Sequence, residues 1–153
     1  MPRVHFHLET SLSPQAVERV LTDFGPQRAQ AWPNIDADHL QVHAQGPGWA
    51  DVTEGNSRAG GIWERNRYQW GKEPGRVTIT TIESNVWKAG SGWDYRLQPA
   101  ASGGTSIQVE VVRHGKGVKG TLLGFVIGAF GARILRSDMQ KVLAPLSIAS
   151  TSR

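Results

Sequence analysis

From Arg3 to Thr10 the chain alternates. Val4, Phe6 and Leu8 fall on one side and His5, His7 and Glu9 on the other, a pattern that predicts a half-buried strand. Ser13-Pro14 follows, an N-cap with proline at the first helical position. Val17, Val20, Leu21 and Phe24 then recur at helical spacing and predict a short amphipathic helix, ended by Gly25-Pro26. Gln27 to Trp32 can form one or two more turns before Pro33. From there to Arg113 the texture is β, with strands predicted near 39–45, 49–55, 61–70, 75–86, 91–98 and 105–114. The intervening Gly, Pro, Asn and Ser clusters are short enough for hairpins, so the strands form an antiparallel meander.

The C-terminal stretch from Gly120 to Leu146 predicts one long helix, running from about residue 119 to about residue 144. Its first half, Thr121 to Ala132, is apolar on every side. Its second half is amphipathic, with Ile134, Leu135, Met139, Val142 and Leu143 at helical spacing. A helix apolar all round must be buried, lie against lipid, or roof a cavity. The element order predicts an α+β fold: a curved antiparallel sheet of about seven strands wrapped around the long C-terminal helix, with two short helices after strand 1. The first strand should pair with the last, because both turn one apolar face to the same helix. The expected organisation is a single domain over residues 1–147, with a tail at 148–153.

Composition narrows the function classes. Hydrophobic residues make up 39% and charged residues 20%, as in a soluble globular protein. There is no cysteine, which excludes a disulfide scaffold, a thiol nucleophile and a thiolate metal site. No signal peptide is visible at the N-terminus, and a cytoplasmic address is expected. The apolar run in the last helix is roughly 12 residues, short of the ~20 that span a bilayer, so no transmembrane segment is expected. The net charge is +4, but Lys and Arg are scattered, so nucleic acid is not an expected partner.

Several blocks together carry a family resemblance. They are Ser13-Pro14 leading to Asp23-Phe24, Trp32-Pro33, Trp49 to Gly55, Gly61 to Arg65, Pro74 to Val77, and Gly117 to Leu143. In that order and at those lengths the chain resembles the helix-grip fold of the START-related superfamily, also called SRPBCC. Within it, the chain is similar to the polyketide cyclase/dehydrase and lipid-transport family. The resemblance implies a cavity between sheet and C-terminal helix, and binding of a hydrophobic ligand or, in some members, catalysis. It carries no short catalytic signature onto this sequence.

Strand parity points to candidate residues. In 91–98, Trp93, Tyr95 and Leu97 share a face; in 105–114, Ile107, Val109 and Val111 do. In 61–70 the alternatives are Ile62, Glu64, Asn66, Tyr68 and Trp70, or Trp63, Arg65, Arg67 and Gln69. Two arginines are harder to bury than one glutamate, so Ile62, Glu64 and Tyr68 are placed inward. A carboxylate there would be raised toward neutrality by desolvation, as a general acid or base requires, unless an arginine at the cavity mouth pairs with it. Glu64 and Tyr68 are therefore the catalytic candidates. Trp32, Trp49, Ile62, Asn85, Trp93, Tyr95, Val109 and Phe125 are the ligand-binding candidates, six tryptophans being a high count for this length. The parity of strand 75–86 stays open. His5 and His7 share a face but lack a third ligand, so neither metal nor cofactor is expected. Gly120, Gly124, Gly128 and Gly131 recur through the helix; close backbone packing explains them best, the alternatives being room for a ligand above them and a flexible, lipid-facing half-helix.

Three functions fit. The first is binding of a hydrophobic small molecule, such as a lipid, isoprenoid or polyketide-like compound, in a mostly apolar pocket of a few hundred Å3. The second is a polyketide cyclase or dehydratase using a cavity acid/base. The third is a membrane-surface or partner-binding module built on residues 121–132, and a homodimer is compatible with it. A convergent set of polar groups in the cavity separates the second from the first. Exposure of Leu122, Leu123, Phe125 and Phe130 favours the third.

Overall fold

The computed structural model describes residues 2–151, with side-chain surroundings for residues 2–146 other than Ala59. Strand β1 is Arg3–Thr10, followed by helices α1 (Pro14–Thr22) and α2 (Arg28–Ala31). Strands β2 (Gln41–Gly46), β3 (Trp49–Asn56), β4 (Ile62–Trp70), β5 (Arg76–Ser84), β6 (Gly92–Pro99) and β7 (Thr105–Val112) lead to α3 (Gly117–Thr151). The strands form one sheet in the order β1-β7-β6-β5-β4-β3-β2, every neighbour antiparallel. As expected, β1 closes on the last strand, from Arg3 opposite Val112 to Thr10 opposite Thr105. This is the α+β helix-grip architecture. Several boundaries differ from expectation, β5 and β7 each ending two residues early, at Ser84 and Val112. Strand β2 starts at Gln41 because Ala37–His39 form a 3-10 turn. Helix α3 runs on to Thr151, so residues 148–151, expected to form part of a tail, continue the helix.

Local chemistry sets these elements. Ser13 accepts a 3.1 Å hydrogen bond from Ala16 N and caps α1, with Pro14 in its first turn. Helix α1 buries Val17 and Leu21 against the inner sheet face, among Leu97, Ile107, Val109 and Tyr95. The open parity of β5 is resolved by a bulge. Val77, Ile79 and Thr81 point inward, an extra residue intervenes opposite Arg65/Asn66, and Ser84 is then inward as well.

The glycines of α3 do permit close packing. A Cβ on Gly120 would strike the carbonyl oxygen of Val86, and one on Gly131 would lie 3.3 Å from Val4 Cγ2. Gly124 and Gly128 lie against the ring of Pro2. Lys116 Nζ donates to Ser84 O and Lys119 Nζ to Gly61 O, pinning the helix start to the sheet. The second half of α3 buries Met139, Val142 and Leu143. The first half does not sink into the core: Leu122 is 60% exposed, Phe125 71% and Phe130 61%. By length and composition the segment Gly117–Leu146 is long and apolar enough to cross a bilayer, which corrects the expectation that the apolar run is too short. Only 17% of that apolar stretch is buried, and Met139, Val142 and Leu143 tie the second half of the helix to the fold.

Candidate functional site

The inner face of β3 and β4 carries two carboxylates. Alternation from Ala50 and Val52 brings Glu54 inward, and alternation from Tyr68 and Asn66 brings Glu64 inward. In the register of the two strands Glu54 and Glu64 are direct partners. Like charges at this spacing repel, and each is answered by its own arginine.

Arg28 serves Glu54. Its Nε donates to Glu54 Oε1 at 2.6 Å, and its Nη2 to Tyr68 Oη at 3.0 Å. Its Nη1 donates to the carbonyls of Leu21 and Asp23, at the C-terminal end of α1. The guanidinium thus caps α1 and anchors the sheet with one planar group. Tyr68 Oη closes the ring by donating to Glu54 Oε2 at 2.6 Å. Phe24, Trp32 and Tyr68 surround the guanidinium, 4.7, 5.5 and 5.4 Å from its central carbon. Burial works against the Arg28 charge, but Tyr68 and Glu54 overcome it and hold the group above its ordinary value. Burial pushes the Tyr68 phenol well up, with Glu54 adding and Arg28 opposing. Burial also raises Tyr95, against the pull of Arg28.

Arg113, one residue past β7, serves Glu64. Nη1 lies 3.1 Å from Glu64 Oε1, an ion pair without hydrogen-bond alignment, and neither Nη1 nor Nε has a hydrogen-bond partner. The residue is 5% exposed, and its guanidinium lies 5.1 and 5.2 Å from the ring centres of Trp87 and Trp93. Asn66 Nδ2 donates to Glu64 Oε2 at 3.3 Å, and Asn66 Oδ1 is unpartnered. Trp93 and Tyr95 stack in parallel, 6.0 Å between centres.

These groups line a partly open cavity of about 90 Å3. It holds roughly three waters. It is smaller and more polar than the apolar pocket expected. Its cover also differs: Leu21, Arg28, Trp32, Asn34 and Ile35 line it opposite the sheet, and among the described residues none from α3 does. A larger groove of about 650 Å3 lies between α1, α2 and the end of α3, lined by Leu12, Ala16, Val20, Val142 and Leu146 among others. Arg28 and Trp32 line both spaces, so they form the wall between them.

Of the candidate residues, Glu64, Tyr68, Trp32, Ile62, Trp93 and Tyr95 meet at the cavity. Four do not. Trp49 is on the outer face, with the Arg67 guanidinium 4.8 Å over its ring. Asn85 ties the start of β4, accepting from Trp63 N and donating to Gly61 O. Val109 is inward but buried in the packed core, away from the cavity wall. Phe125 faces outward from α3. Glu64 pairs with an arginine, but with Arg113 inside rather than one at the mouth. Sequence reasoning missed Arg28, Glu54, Asn66 and Arg113. Three of them had a signal: Asn66 shares the strand face of Glu64 and Tyr68, Glu54 keeps the parity of Ala50 and Val52, and Arg113 that of Val109 and Val111. Among the described residues no cluster of three or more His, Asp or Glu side chains could hold a metal.

Solved structures share this fold. A START superfamily protein from Mycobacterium smegmatis matches with a TM-score of 0.73 at 14% identity, covering 94% of this chain and 98% of its own. A protein from Thermus thermophilus matches at 0.78 and 14% identity, covering 97% and 99%. The ZhuI aromatase/cyclase from Streptomyces sp. R1128 matches at 0.75 and 13% identity, covering 94% and 92%. At such identity these likenesses concern the fold. No curated protein matches the sequence. The family model for polyketide cyclase / dehydrase and lipid transport matches residues 1–147, and the chain belongs to that family within the START-like, SRPBCC superfamily.

Proposed function

We propose that the protein binds a hydrophobic small molecule that carries polar oxygens, of the polyketide, isoprenoid or lipid kind. The observation that carries this reading is the convergence of Arg113, Asn66 and Glu64 in an aromatic-walled cavity, with hydrogen-bonding capacity on Arg113 and Asn66 left unused. Water in the cavity can serve these groups, and a ligand oxygen or hydroxyl that takes its place keeps their hydrogen bonds. The hydrophobic part of the ligand fits the groove on the other side of Arg28 and Trp32, and movement of that wall joins groove and cavity into a site of several hundred Å3, the usual size for small-molecule sites. Tryptophan fluorescence should respond to oxygenated polycyclic or long-chain compounds, since Trp32 and Trp93 both line the cavity. Absence of a response across such a panel, together with no ligand in native mass spectra of the protein from its own host, overturns the reading.

A cyclase or dehydratase activity is the second reading, and the Arg113–Glu64 pair favours it. Glu64 would remove a proton from the carbon next to a substrate carbonyl, and the free Arg113 Nε–H would stabilise the enolate oxygen that forms. Attack of that enolate carbon on a second carbonyl closes the ring, and Glu64 returns the proton to the alkoxide; removal of a second proton from the same carbon, with protonation of the hydroxyl that leaves as water, completes the dehydration. Tyr68, held by Arg28 and Glu54, stays protonated and orients the substrate. Glu64→Gln should abolish turnover and leave ligand affinity nearly intact; turnover unchanged by it sinks this role.

A further inference from the structure

The N-terminal half of α3 carries an apolar face that the fold does not use. Leu122, Phe125 and Phe130 are each more than half exposed, with Val118 and Val126 beside them. Their spacing puts them on one broad side of the helix. The glycine side, Gly120, Gly124, Gly128 and Gly131, rests on Val86, Pro2 and Val4. The back of the helix is thus fixed to the fold and its apolar front faces outward. An exposed apolar surface of this extent marks a binding surface.

Charge selects the occupant. No acidic residue occurs between Glu110 and Asp138. By helical spacing Lys119 brackets the apolar face at its start, and Arg133 and Arg136 bracket it at its end. Lys119 and Arg136 donate to backbone carbonyls, those of Gly61 and His7, and among the described residues neither pairs with a carboxylate. A second copy packed antiparallel on this face would set Lys119 against Arg133 and Arg136 and be repelled. An anionic lipid surface neutralises all three cations while its acyl boundary takes the apolar side chains. Spanning is not the geometry, because Met139, Val142 and Leu143 are locked in the core.

We propose that the N-terminal half of α3 docks the protein on the surface of an anionic lipid bilayer. Leu122, Phe125, Val126 and Phe130 enter the headgroup–acyl boundary, and Lys119, Arg133 and Arg136 lie on the headgroups. The site is separate from the interior cavity, so its test is independent of the ligand.

The experiment is co-sedimentation of the full chain with vesicles of phosphatidylcholine and phosphatidylglycerol in equal parts, against phosphatidylcholine alone. Binding is expected to the anionic vesicles only, with release at high salt. Arg133→Gln and Arg136→Gln should each weaken it about fivefold. Leu122→Asp with Phe125→Asp should abolish it while the thermal unfolding midpoint stays near that of the parent, because both side chains are exposed. Four results overturn the proposal. They are no binding to anionic vesicles, equal binding to both kinds, binding retained by the double aspartate variant, and a lipid-free dimer that this variant converts to monomer. The last would assign the face to a second copy.

Discussion

Glu54 and Glu64 face each other across β3 and β4 on the inner side of the sheet, and neither shares its arginine with the other. Arg28 comes from α2 and Arg113 from just past β7, so the repulsion between two carboxylates is resolved by cations from two separate elements. Removing one cation leaves a buried carboxylate beside a like charge. Arg28→Met should therefore cost about 3–5 kcal/mol in urea unfolding, the usual loss when a buried pair is broken. Adding Glu54→Gln to Arg28→Met should recover a large part of it. If Arg28→Met alone is nearly neutral, the pair is not electrostatically coupled as the geometry requires.

Tyr68 and Tyr95 are the only two tyrosines, and both are buried. Burial raises both phenols above the ordinary value. An ordinary phenol titrates near about 10. The folded protein should show no phenolate absorbance through that range. The linkage sign follows: a value raised on folding contributes stability that is complete below the unfolded value and is lost as pH rises above it. Phenolate absorbance should appear together with loss of far-ultraviolet dichroism, in one alkaline transition. A phenolate signal near the ordinary value with dichroism unchanged would place one ring in solvent.

On the outer face, Arg65 donates twice to Asp51, at 2.9 and 2.8 Å. That hydrogen bonding holds the Asp51 carboxyl below its ordinary value, against the effect of burial. A depressed carboxyl contributes stability that is present above the unfolded value, ~3.9, and lost as pH falls through the folded one. Asp51→Asn should lower stability by about 1 kcal/mol at neutral pH, since Arg65 is partly in solvent. Urea midpoints of variant and parent should converge as pH falls below the ordinary carboxyl value and through the depressed folded one.

The fold was legible because its signals are local. Val4, Phe6 and Leu8 alternate, Ser13-Pro14 caps a helix, and glycine clusters separate the strands. The site was legible where a single strand decided it, as for Glu64, Tyr68, Trp93 and Tyr95. Arg28 was not, because the four-residue α2 has no periodicity and its role depends on contacts with α1, β3 and β4. Trp49 was misplaced because tryptophan suits either face; its parity with Asp51 sets it outward. The small cavity was not legible either. Parity says which side chains point inward, but not that Arg28 and Arg113 fill the space between them.

Trp32 stands between the 90 Å3 cavity and the 650 Å3 groove, and its ring is only partly buried. Truncation to alanine should act on two quantities in opposite ways. Stability should fall by about 1–3 kcal/mol, less than for a fully buried tryptophan, and part of the loss comes from the stacking over the Arg28 guanidinium. Association of a hydrophobic ligand should become faster, because the wall no longer has to move before groove and cavity join. Stopped-flow fluorescence, read through the remaining tryptophans, separates the two effects. A Trp32→Ala protein that is less stable but takes up ligand at the parental rate would show that ligands enter by another route.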